Sequence, residues 1–123
     1  MAMPAIGQMA DSLDPFSQVK SARVFSIGKV GYAGRLSKDE IAFRSVLKGR
    51  NPAEKFIALV HTATPEGQLY ALLGLRLLGD PAFDKYFPSF VAKRDLVRTM
   101  EGCIMGRASM KSVASGIRRG NFK

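Results

Sequence analysis

The chain has 123 residues, 46% of them apolar, which is enough for one domain with its own core and too few for two comfortable ones. Nineteen basic side chains against ten acidic ones leave a net charge of +9, a balance that suits an acidic partner, whether protein, nucleic acid or anionic membrane. The single cysteine excludes an intramolecular disulfide and a thiolate-based metal site, and no charge-free run exceeds ten residues, too few to cross a membrane.

The opening "MAMPAIGQMA" lacks the positive n-region of a signal peptide. A cytoplasmic location is therefore the default expectation, with an exported form whose signal has been removed left open. Residues 1–22 show no sustained hydrophobic period and read as a flexible N-terminal arm carrying one short helix near Pro15 to Ser21. Residues 23–123 read as a single helical domain. Its first stretch, "RVFSIGKVGYAG" at 23–34, reads as a short hairpin or an ordered loop over the core.

From Ser37 onward the signals are helical. "SKDE" forms a capping box in which Ser37 accepts an amide and Glu40 reaches back, with Ile41, Val46 and Leu47 expected to line one side until Gly49. "NPAE" starts the next helix with Asn51 as cap and Pro52 in the first turn; Phe56, Leu59, Val60 and Ala63 form its inward stripe. A third helix is predicted from Pro65 to Leu78, ended by Gly79, and a fourth from Pro81. The third is apolar nearly all round, as a helix buried on most sides would be. Along it Gly67, Ala71 and Gly74 make a small-residue stripe that serves either a close internal helix contact or a homodimer. In the fourth helix Phe83, Phe87 and Phe90 recur on one side, and Pro88 is expected to kink or restart it. "TMEGCIMG" reads as a turn or short helix. A last helix follows from about Ser109 to Arg119, with Met110, Val113, Ala114 and Ile117 inward and Gly120 as its stop. The resulting fold class is all-α, a compact bundle of about five helices around the buried helix 65–78.

"LYALLGLRLLGDPAF" resembles part of a HEAT-type repeat over roughly residues 52–92: a leucine-rich helix, a Gly-Asp-Pro turn and a second apolar helix. The resemblance implies a helical hairpin of the kind used by protein-binding scaffolds. No second copy is visible, whereas solenoids need about three stacked repeats.

The candidate chemistry is sparse. His61 is the only histidine and has no ligand partner at metal-binding spacing, so a structural or solvent-facing role is expected and no metal or cofactor. Cys103 would be a nucleophile only if His61 reached it; "GCIM" reads instead as a buried small residue. "GKVGYAG" lacks the spacing and the Gly-Lys-Ser/Thr ending of a phosphate loop.

Charge is the stronger signal. Residues 93–123 hold eight basic and two acidic side chains, and the nearly neutral middle, 51–92, holds three and four. The candidate partner-binding residues are Lys93, Arg94, Arg98, Arg107, Lys111, Arg118 and Arg119. They fit a small non-catalytic protein that binds an acidic protein stoichiometrically, as an adaptor, inhibitor or immunity-type antidote does. The alternative is nucleic-acid binding through the basic C-terminal helix, which would call for aromatic platforms between the charges. Membrane docking of the last helix and a thiol-dependent or hydrolytic enzyme are the weaker readings.

Overall fold

The computed structural model describes residues 14–28 and 35–123, so most of the expected arm and residues 29–34 of the expected hairpin or loop lie outside the described residues. The described elements are α1 (Pro15–Lys20), α2 (Lys38–Lys48), α3 (Pro52–Thr62), α4 (Pro65–Leu78), α5 (Ala82–Ala92), β1 (Leu96–Glu101), β2 (Ile104–Ser109) and α6 (Met110–Arg118).

Helix starts follow capping chemistry. The side chains of Asp14, Ser37, Thr64 and Ser109 each accept the backbone N–H three residues on, at 2.9 to 3.1 Å. Asn51 precedes α3 in the left-handed region, φ 47°, and makes no such bond. The stops are equally local. Gly79 (φ 67°) and Gly120 (φ 82°) each donate to a carbonyl three residues back while the next residue donates to one five back, closing α4 and α6 in Schellman motifs. α5 continues through Pro88 without a restart; the carbonyl that the missing N–H leaves free belongs to Asp84, an exposed residue.

The core is built on α4. Gly67 and every residue from Leu69 to Leu75 are buried, whereas Arg76, Leu77 and Leu78 emerge in the last turn. The small-residue stripe serves an internal contact: a β-carbon at Gly74 would collide with the Phe56 ring, and one at Gly67 with the Val19 carbonyl. Phe83 and Phe90 join the core, with Phe87 half-buried beside them. Val19 and Ala22 are also buried, so residues 14–22 pack with the rest of the molecule.

The first correction is to α2. The inward side of α2 is Ala42, Phe43 and Val46, with Ile41 54% exposed. Glu40 is buried but does not complete the capping box; its carboxylate accepts the Gly28 N–H at 2.7 Å and pairs with Arg44 at 3.2 Å. Competing tertiary partners have redirected it.

The second correction is to the all-α class. "TMEGCIMG" is neither a turn alone nor a short helix, because β1 and β2 form an antiparallel hairpin with register Leu96↔Ser109 to Glu101↔Ile104. The molecule is helix-dominated but not purely helical. Residues 23–28 run as an extended strap along the outer edge of β1, where the Phe25 N–H donates to the Arg98 carbonyl at 2.8 Å. The buried Tyr70 hydroxyl pins the strap, accepting the Ser26 N–H and donating to the Ser26 carbonyl. Phe122 closes the far side, edge-on to Phe25 with ring centroids 5.3 Å apart.

Candidate functional site: a basic hairpin face

The hairpin turns through Gly102 and Cys103. Gly102 has φ 57° and Cys103 is not in the positive region, the pattern of a type II′ turn, which matches the right-handed strand twist. Residue alternation then assigns two faces. Val97 and Ala108 face inward, where Val97 is fully buried. Leu96, Arg98 and Met105, Arg107 face outward, with Leu96 63% and Met105 53% exposed. Ile104, at the tip, is 74% exposed.

At the centre of the outward face Arg98 stands directly opposite Arg107. The Arg98 N–H donates to Glu66 Oε2 at 2.9 Å and its carbonyl accepts from Phe25, so both groups point away from β2. The Arg98–Arg107 pair is therefore a non-hydrogen-bonded one, the kind in which Cα atoms approach to about 4.5 Å and side chains are closest. Like charges so placed repel. Among the described residues the one ion pair within 4.0 Å is Arg44–Glu40, so none of their carboxylates lies within that distance of either guanidinium.

The other candidate cations divide. Arg94 and Lys111 flank the junction where the Met110 N–H donates to the Asp95 carbonyl, at the hairpin base, and both are exposed. Lys93 is engaged internally, donating to Gln68 Oε1 at 3.1 Å and lying over the Phe90 ring. Arg118 sits over the Phe87 ring at the far end of α6, about 10 Å along the helix from Lys111. Arg119 borders a cleft of about 220 Å³ with Phe25, Thr99, Ser112, Asn121 and Phe122. The seven residues thus form a hairpin group, a helix-end pair and one internally bonded lysine.

Sequence reasoning missed Leu96 and Met105 as the apolar members of this outward face. The signal was the alternation of Leu96 and Arg98 with Val97 and Thr99, followed by a two-residue Gly-Cys turn.

Cys103 is exposed at the turn, contrary to the buried reading. His61 is exposed too, its Nε2 3.2 Å from the Tyr86 hydroxyl, and it makes no hydrogen bond to Cys103. No group of three or more His, Cys, Asp or Glu side chains among the described residues is arranged to hold a metal ion. Nor is any described helix long and apolar enough to cross a membrane. α4 and α5 are joined through Gly79, Asp80 and Pro81. The chain matches no family model, no curated protein and no solved structure.

Proposed function

We propose that the protein is a basic binding module that docks an acidic partner protein on the outer face of its β-hairpin, as an adaptor, inhibitor or antidote would. The observation that carries this reading is the exposed Arg98–Arg107 pair, without an ion-pair partner among the described residues, beside Leu96 and Met105 on the same face. A partner carboxylate between the two guanidiniums would exchange repulsion for charge-assisted hydrogen bonds, a gain available only in the complex. The apolar neighbours supply contact area around the charged centre, and Arg94 and Lys111 extend the positive field at its base.

A nucleic-acid partner fits the same surface less well. No aromatic residue lies between Phe90 and Phe122, so the hairpin offers no ring on which a base could stack.

The test is affinity capture from native lysate at low and high salt, with and without nuclease, using the wild type and the Arg98→Glu/Arg107→Glu double variant. The expected result is one acidic protein retained in near-stoichiometric amount by the wild type, insensitive to nuclease and lost from the variant. Nucleic acid held at low salt and released at high salt would overturn the reading.

A further inference from the structure

The hairpin has two edges with different fates. On β1 the outward N–H of Arg98 is taken by Glu66 and its carbonyl by Phe25. On β2 the ladder alternation turns the N–H and C=O groups of Met105 and Arg107 away from β1. Among the described residues nothing pairs with those four groups, and residues 104–107 are all exposed. An open row of this kind is a template for another strand unless charge, proline or a bulge blunts it. Here Arg107 is the only charge on β2, no proline interrupts it, and the register runs without a bulge.

We infer that the acidic partner binds by strand addition, laying an extended segment along the free edge of β2 as a third strand. This rests on the reading of the hairpin as the docking face and adds the mode. Residues two apart along a strand lie about 6.6 to 6.8 Å apart, so one outward dipeptide unit of the segment meets Met105 while the next meets Arg107. Side chains opposite these positions fall on the outer face. A carboxylate opposite Arg107 would complete a row of Arg98, Arg107 and acid across three strands, and an apolar side chain two places along would cover Met105. A second copy of β2 suits the edge poorly, because it would place four arginines on one face.

The probe is an eight-residue peptide, capped at both ends, with glutamate and leucine alternating at every second position and threonine between them. Its twin carries N-methyl groups on the amides that would pair with β2. Amide hydrogen exchange is followed by NMR on the intact protein, and affinity by titration. Strand addition is expected to slow exchange at Met105 and Arg107 by about tenfold or more, and N-methylation to weaken binding by about tenfold or more. The Arg98→Glu/Arg107→Glu variant should bind neither peptide. If the twin binds as well as the parent while that variant still binds neither, the acidic docking face stands and strand addition is overturned. If neither peptide binds the wild type, docking face and strand addition fall together. Protection of the two amides that rises with protein concentration alone would assign the edge to a second copy and overturn the inference.

Discussion

Tyr70 does two things at once: its ring fills the core between Phe25 and Phe43, and its hydroxyl satisfies both backbone groups of Ser26. Burial raises its pKa above the ordinary value of 10.0. The unfolded chain therefore gives up this proton first, and once pH passes 10 it binds fewer protons than the folded one. The stabilisation is complete below pH 10 and is lost as pH rises through the folded value. Tyr70→Phe should cost about 1–3 kcal/mol at neutral pH by leaving the Ser26 groups unpaired, and urea melts above pH 10 should show a shallower decline than the wild type. A variant as stable as the wild type would show that the strap does not depend on this hydroxyl. The role of Tyr70 was not legible in the sequence, because its partner lies 44 positions away and is a backbone, which carries no residue signature. Ser37 was legible as a cap, since it acts within its own first turn, whereas Asn51, expected to cap α3, makes no side-chain bond there.

The hairpin is where element-level reading failed. Only Val97 on β1 is fully buried, so the alternation that marks a half-buried strand is reduced to one strong position, and the glycines at 102 and 106 read as helix punctuation. α4, by contrast, buries a long stripe and stops at Gly79, which is why its observed bounds are the expected ones. The Arg98–Arg107 opposition gives a test separate from partner binding. Arg107→Glu converts a like-charge pair into a cross-strand ion pair and should raise stability by about 0.2–1 kcal/mol in urea unfolding while abolishing capture of the acidic partner. A less stable variant would mean that the two guanidiniums do not repel as placed. On α4, Leu73→Asp would put an unpaired carboxylate in the core and should remove the cooperative melting transition altogether.

At the scale of the whole molecule, the apolar interior draws on every part of the chain, from Val19 to Ile117, while most cations of the last third lie on or beside the hairpin and along α6. Arg118 and Arg119, at the helix end, would act on approach more than in the complex. Their joint reversal to glutamate should slow association several-fold and leave dissociation nearly unchanged, as stopped-flow mixing at low salt would show. Equal effects on both rates would place them inside the contact.

The Gly74–Phe56 contact also bears on how this sequence can change over time. Alanine at 74 alone puts a methyl group into the Phe56 ring and should cost about 1–3 kcal/mol, a large part of the margin of a small domain. A smaller side chain arriving first at 56 would leave a space that the new methyl partly fills, so the two substitutions together should cost less than their sum. Truncating the fully buried Phe56 first leaves a cavity with a cost of its own, so each single step is unfavourable and the two positions are expected to change together.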